Sequence, residues 1–374
     1  MKILLIGDAS NFHYTLARGV EREGHTVTVA SSGSGWMNTG RDIDITRRDG
    51  TLGTLHYASR LLRLLSSFRG YDIVQVTNPI FLHLRPGKMR WVFDTLKRNN
   101  RHIIYEALGT DYNYVRACLD GATFRYSDYL VGSEPTPYAL AHPDNQEQWL
   151  SKAMRDYTCH FTDNVDGITA CLYEYYRTYE PLYPEKLSYG GIPVDIPAGP
   201  CRIESVPDKV RIFIGVQSAR SQLKGTDILL RAAQSVAARH PSLCELIVVE
   251  NMPLKEYRQR LATAHVLLDQ LYSYTPATNA LMALAGGIVT VSGAEPEYYR
   301  FIGESELQPI VNVTPLDSLE QIERSIESLV VHKERLPELS RQSRAFAARH
   351  NATEVVARRH IDFWQSVIDN STRL

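Results

Sequence analysis

Arg220 and Lys224 are the residues whose types and spacing point most directly to chemistry. They stand in the stretch 215–230, GVQSARSQLKGTDILL, just after the strand-like run Arg211-Ile212-Phe213-Ile214. Beyond them Ile228, Leu229, Ala232, Ala233 and Val236 recur at helical spacing. Thr226 is the expected N-cap of that helix, and Asp227 suits its first turn. Two fixed positive charges and Gly225 thus lie on a loop between a strand and a helix. In open α/β sheets ligands bind outside the carboxyl ends of the strands. The guest that suits two cations there is a phosphate or diphosphate. A second stretch, 272–287 (YSYTPATNALMALAGG), reads as a helix with Thr275 as N-cap, Pro276 in its first position and Gly286-Gly287 at its end. The amides of Ala277, Thr278 and Asn279 would point out of its N-terminus. Such a terminus is an anion cradle contributing about 0.3–1 kcal/mol when exposed and about 2 kcal/mol when partly buried.

The elements that must position these groups follow a repeating pattern. Lys2–Gly7 is a buried-strand run, Phe12–Glu23 a helix closed by Gly24, and His25–Ala30 a second strand. This is a Rossmann-like opening without GxGxxG, so a dinucleotide cofactor is not expected. The polar, glycine-rich stretch 31–53 is too long for a simple turn and suggests a functional loop. Leu52–Phe68 is helical, and Tyr71–Thr77 and His102–Ala107 are strands. The tyrosine- and proline-rich stretch 120–163 reads as an irregular helical excursion around an acceptor. Pro197, Gly199, Pro200 and Pro207 mark a linker over 196–209. The predicted layout is an α/β chain of two Rossmann-like domains: 1–195, then 210–350, with a terminal helix in 351–374.

The strand, Arg220, a short gap and Lys224-Gly225-Thr226-Asp227 resemble the donor-diphosphate loop of retaining GT-B glycosyltransferases, family four especially. That resemblance implies two domains facing across a cleft, with the acceptor held by the first and the nucleotide sugar by the second. It implies that Arg220 and Lys224 neutralise the departing nucleoside diphosphate, and that the last helix returns to the first domain with Trp364 as anchor. Leu108-Gly109-Thr110-Asp111 resembles the family's His-Gly-Ser/Thr-Asp turn, with Leu108 in place of the His. Asp111, with Glu106 near it in sequence, is then a catalytic candidate; a helix N-cap is the competing reading. His13 would stand near the cleft on the first turn, as a catalytic candidate or as a surface histidine. In the family's Glu-x7-Glu segment, Tyr274 and Met282 replace the two acids. Tyr274, Glu295 and Glu297 are then the candidates for the donor sugar and ribose. Asp42-Ile43-Asp44 forms the DxD that holds a metal in GT-A enzymes, but family four uses none. No essential metal or cofactor is expected.

Composition narrows the partners. The chain has 374 residues and a net charge of −1, which argues against nucleic-acid binding. Its five cysteines are scattered without metal-ligand spacing, as in a reducing compartment. Neither a signal peptide nor a membrane-spanning run is expected, so a cytoplasmic location follows. The stretch 84–102 carries six Lys/Arg, Trp91 and Phe93 against Asp94 alone. It is either a solvated helix face or a contact with an anionic membrane surface. The expected function is transfer of a sugar from a nucleoside-diphosphate sugar to the hydroxyl of a saccharide or lipid-linked saccharide, in cell-surface polysaccharide or glycolipid synthesis, with retention. The absent acids leave two alternatives: a catalytically degenerate nucleotide- or sugar-binding partner, or a nucleotide-sugar epimerase of the same fold.

Overall fold

The computed structural model describes residues 1–34 and 37–371; Gly35 and Trp36 of the stretch 31–53 lie outside it. In chain order the elements are β1 (Lys2–Ile6), α1 (Phe12–Arg22), β2 (Thr26–Ser31), β3 (Ile43–Asp44), α2 (Gly50–Ser67), β4 (Ile73–Thr77), α3 (Pro86–Asn99), β5 (His102–Ala107) and α4 (Tyr112–Leu119). A short hairpin, β6 (Leu130–Val131) with β7 (Glu134–Pro135), precedes α5 (Pro137–Ala141). Next come α6 (Pro143–Leu150), α7 (Lys152–Asn164), β8 (Gly167–Ala170), α8 (Tyr173–Tyr179) and β9 (Leu187–Tyr189). The later elements are β10 (Val210–Val216), α9 (Ser221–Lys224), α10 (Thr226–Arg239), β11 (Cys244–Glu250), α11 (Leu254–Leu261), β12 (Val266–Leu268) and α12 (Thr278–Ala285). The chain ends with β13 (Val289–Ser292), α13 (Pro296–Phe301), β14 (Val311–Asn312), α14 (Leu319–Val331), α15 (Leu336–Asn351) and α16 (Thr353–Ser371).

The chain divides into two compact units. The first comprises 1–117, 144–193 and 353–374, and the second 118–143 and 194–352. The predicted linker 196–209 therefore falls within the second unit, where Ile203 joins the core. The excursion expected around an acceptor divides: 118–143 packs in the second unit, and 144–163 stays with the first.

The first unit holds a seven-stranded parallel sheet in the order β3-β2-β1-β4-β5-β8-β9. Its strands are almost continuously apolar because both faces are covered. Tyr57, Leu61 and Leu65 of α2, Met89, Val92 and Phe93 of α3, and Phe161 of α7 share one cluster with Leu4, Val74 and Tyr105. Elsewhere in the unit α16 lies against α1 at Gly19. A Cβ there would come 2.7 Å from the Ala357 Cβ and 2.8 Å from the Thr353 carbonyl oxygen, so only glycine permits the approach. The expected return of the last helix is observed: Trp364 is fully buried and its indole N–H donates to Gln75 Oε1 at 3.0 Å.

The second unit holds a five-stranded parallel sheet in the order β11-β10-β12-β13-β14. Phe213 of β10 lies opposite Ile247 and Leu267. Ile212, Ile214, Leu268, Val289 and Val291 form its core with Leu229, Ala232 and Val236 of α10 and Ile326 of α14.

Candidate functional site

In the second sheet β10 lies between β11 and β12, so the chain moves to opposite sides from β10. A crevice opens at such a reversal, outside the carboxyl ends of the strands. The loops after β10 and β12 flank it, and these are the loops carrying the predicted anion groups. After β10 a 3-10 turn, Ser218–Arg220, leads into the single turn of α9, and Gly225 follows at φ +68°. Gly225, not Thr226, is the N-cap of α10. The left-handed backbone at Gly225 already starts the helix, so Thr226 becomes its first residue. There it is buried, with its hydroxyl 3.0 Å from Ser221 Oγ.

The two loops pack together at Gly225. A Cβ there would stand 2.9 Å from the Leu271 side chain, and Leu271 N–H donates to the Lys224 carbonyl at 2.9 Å. Glycine is thus required twice at this position, for its positive φ and for the close approach. Burial pulls the Lys224 ammonium below the ordinary lysine range, Asp269 pushes it back up, and Arg220 pulls it down. Asp269, buried just past β12, accepts Asn279 Nδ2–H at 2.8 Å, and Tyr257 O–H donates to Asn279 Oδ1 at 2.9 Å. Lys224 thus has one buried carboxylate, Asp269, and one further cation, Arg220, within electrostatic reach.

Beside it begins α12, and here the expected start is displaced. Its N-cap is Ala277, with extended backbone at ψ −177° and no side-chain cap. Pro276 and Thr275 lie outside the helix because the chain stays extended through Ala277. The first free amides are those of Thr278, Asn279 and Ala280, one residue later than predicted. The chain Lys224–Leu271 and Asp269–Asn279 ties this terminus to the cationic loop.

Tyr274, Glu295 and Glu297 are brought together, by a residue the sequence reading passed over. Arg125, from the stretch 118–143, has a guanidinium 3.0 Å from Glu295 and 2.8 Å from Glu297. Its backbone N–H donates to Tyr274 Oη at 2.7 Å, and Tyr126 O–H donates to Glu295 Oε1 at 2.8 Å. The rings of Tyr126 and Tyr274 stack at 4.6 Å. Burial alone would lower the Arg125 pKa; its bond to Glu295 and the nearby Glu297 carry it above the ordinary value. Both carboxylates are thus engaged within the protein, and Glu295 and Tyr274 are each only 4% exposed. Binding ribose or sugar with them would require this clasp to open. The signal that could have found Arg125 is its company, Phe124-Arg125-Tyr126, an arginine between aromatics in a stretch with no helical or strand period.

The first unit has its own reversal point, between β1 and β4. Most polar groups beside it are engaged within the unit, although Glu106 Oε1 is buried without a hydrogen-bond partner among the described residues. His13, expected near a cleft or on the surface, is fully buried. Its Nδ1–H donates to the Gly7 carbonyl at 2.6 Å, leaving Nε2 to accept from Gln75 at 3.3 Å. Burial holds its pKa down at about 3, so it is a neutral group that fixes the Gly7 turn. Asp111, also buried, accepts the hydroxyls of Tyr105 and Tyr179, each at 2.5 Å, and the Tyr114 amide at 2.8 Å. Burial raises its pKa while those donors oppose the shift. This is the helix-capping geometry for α4, the competing reading of that aspartate. Glu106 lies in a different network, accepting at Oε2 from Thr169 (2.5 Å) and Gln75 (3.2 Å) and meeting His360 Nε2 at 2.9 Å. Asp42 and Asp44 hold backbone: Asp42 accepts the Val29 amide at 2.8 Å and Asp44 the Thr46 amide at 2.8 Å.

No family model and no curated protein matches the chain. Solved structures do. The chain is similar to WaaG, a glycosyltransferase involved in lipopolysaccharide biosynthesis, at 14% identity over 96% of this chain and 98% of that one, with a TM-score of 0.58. It is similar to a sucrose-phosphate synthase from Thermosynechococcus elongatus at 10% identity over 99% and 100%, with a TM-score of 0.59. A UDP-N-acetylglucosamine 2-epimerase described for Listeria monocytogenes covers 96% and 94% at 11% identity and 0.52. At these identities the likeness is one of architecture, and the architecture is that of GT-B glycosyltransferases.

Proposed function

We propose that this protein is a glycosyltransferase of the family-four kind. It transfers a sugar from a nucleoside-diphosphate sugar to a saccharide or lipid-linked saccharide hydroxyl in cell-surface polysaccharide or glycolipid synthesis. The observation that carries this reading is the cationic loop of Arg220 and Lys224 tied to the uncapped start of α12 at the reversal point of the second sheet. In the transfer the acceptor oxygen bonds to the anomeric carbon as the bond to the diphosphate oxygen breaks. The electron pair leaves on the diphosphate, which also takes the hydroxyl proton. Negative charge grows on the leaving group, and donors fixed in advance at that place lower the barrier most. Arg220, Lys224 and the amides of Thr278, Asn279 and Ala280 fill that role, and Lys224, held below its usual pKa by burial, regains a full charge partner when the diphosphate enters. Retention and independence from metal follow from the family-four resemblance, and the cytoplasmic location with membrane contact through 84–102 rests on the sequence pattern given above. Asp111 and His13 support the loops of the first unit rather than the reacting atoms.

A second reading is favoured by the Arg125 clasp, which engages the two glutamates that could have replaced the missing acids. A degenerate partner would bind nucleotide and release no sugar with any acceptor. An epimerase would convert a UDP-sugar with no acceptor present.

The deciding measurement is thermal stabilisation by UDP, GDP, ADP and CMP of the wild type and of Arg220→Ala/Lys224→Ala. One diphosphate is expected to stabilise the wild type by about 2.7 kcal/mol at a hundred times its dissociation constant, and the variant far less. No stabilisation by any of the four would remove the donor site.

A further inference from the structure

We infer that Tyr138, carried by the strap 118–143, donates its hydroxyl to a phosphate group held by Arg220 and is a further contact of the diphosphate site. The inference rests on the transferase reading for the identity of the anion. It extends that site to a segment whose sequence suggests an excursion around an acceptor.

The strap packs with the second unit, although the chain on either side of it belongs to the first. It is bonded to itself and to the loops of the second sheet. Near its start stands the Arg125 clasp, with Tyr126 stacked on Tyr274 and donating to Glu295. Ser127 Oγ donates to the Cys118 carbonyl at 3.0 Å and accepts the amides of Tyr129 and Leu130, both at 3.1 Å. Thr136 Oγ1 donates to the Asp128 carbonyl at 2.7 Å and accepts the Ala139 amide at 3.1 Å. Thr136 thus N-caps α5, with Pro137 in the first turn. That short helix packs against α9, the turn that carries Lys224 and has Arg220 as its N-cap. The strap therefore joins the loops that follow β10, β12 and β13.

Tyr138 stands on α5 half-buried, its ring centroid 6.0 Å from that of Tyr129 and 4.8 Å from that of His142. Those rings hold the phenol in place. Among the described residues its hydroxyl has no hydrogen-bond partner, and the Arg220 guanidinium nearby has neither a hydrogen bond nor an ion pair. Burial and Asp128 raise the Tyr138 pKa above the ordinary tyrosine value, and Arg220 opposes them. The phenol therefore keeps its proton and is a donor, the role an anion requires. A held hydroxyl without a protein partner, beside a cation without one, is satisfied when one oxyanion meets both. Donors fixed in advance in this way lose little on binding.

The test is calorimetric titration of the wild type, Tyr138→Phe and Arg220→Ala/Lys224→Ala with UDP, GDP, ADP and inorganic pyrophosphate. Tyr138→Phe keeps the ring and its packing, so its thermal midpoint before titration should equal that of the wild type. It should bind pyrophosphate and the preferred diphosphate roughly tenfold or more weakly, by the same factor for both. The inference is overturned if Tyr138→Phe binds the preferred diphosphate as tightly as the wild type. It is equally overturned if affinity for that diphosphate falls while affinity for pyrophosphate is kept, which would make the tyrosine a contact of base or ribose. A lower thermal midpoint before titration would also overturn it, because the hydroxyl would then serve the protein itself. Loss of binding in Arg220→Ala/Lys224→Ala with none in Tyr138→Phe would leave the donor site standing and remove Tyr138 from it. A wild type that binds neither pyrophosphate nor any of the diphosphates would remove both.

Discussion

Each unit is built on a parallel sheet with one reversal point, though the strand orders differ, and the polar groups at the two points are arranged differently. In the first, the polar groups near the strand ends are turned on each other: His13 holds Gly7, Asp111 collects two tyrosine hydroxyls and an amide, and Glu106 gathers Thr169, Gln75 and His360. In the second, Lys224 lies within electrostatic reach of Asp269 and Arg220, and a helix start has no side-chain cap. Hydrogen-bonded networks of this kind rigidify a scaffold, although Glu106 Oε1 in the first unit stays buried without a partner among the described residues. We read the second reversal point as the anion site because of its cationic loop and the uncapped start of α12.

The comparison can be broken most forcefully in the first unit. Trp364→Ala removes a fully buried indole and leaves Gln75 Oε1 without its donor. A loss of about 3–5 kcal/mol is expected in denaturant unfolding. Nucleotide affinity of the molecules still folded should be unchanged, and a parallel loss of affinity would mean that the two units do not divide the labour as described. Gly225→Ala is smaller in stability and larger in function. Its positive φ and the 2.9 Å approach to Leu271 predict a loss of about 1–2 kcal/mol, together with most of the nucleotide stabilisation. Full retention of nucleotide binding would detach that glycine from the site.

The smallest effect is one of pH, in the second unit. Burial alone would raise the Glu304 pKa, but His350, the amides of Leu307 and Glu306, and Arg349 bring it down to about 2 from an ordinary 4.5. A carboxylate lowered on folding stabilises the protein above its unfolded value, and the contribution disappears as pH falls from about 4.5 to about 2. Glu304→Gln should flatten the acid limb of the stability curve within that window. An unchanged limb would show that Glu304 is not the group being titrated.

What the sequence disclosed and what it concealed have a common cause. Strands such as 2–6 and 210–216 announce themselves by apolar runs, and the loop at Arg220 by a local change from strand to helix period. The last helix could be assigned to the first domain through the family resemblance, with Trp364 as its anchor. Helix starts were legible only to within a few residues, because Gly225 and Ala277 begin helices by backbone conformation where a threonine looked the better cap. The Arg125 clasp was illegible. Its acidic partners, Glu295 and Glu297, lie 170 and more residues away, and no local period encodes a contact of that range. His13 looked reactive because residue type is visible in a sequence and burial is not.

The division of the chain also sets an order of events during synthesis. The second unit is complete once Ala352 has been made, but the first still lacks 353–374. Until α16 emerges from the ribosome, Glu106 has no His360, Gln75 has no Trp364 and α1 has one side bare. The part of the protein translated first is therefore the part that finishes folding last. A chain shortened before Thr353 would hold a complete second unit attached to an unclosed first one.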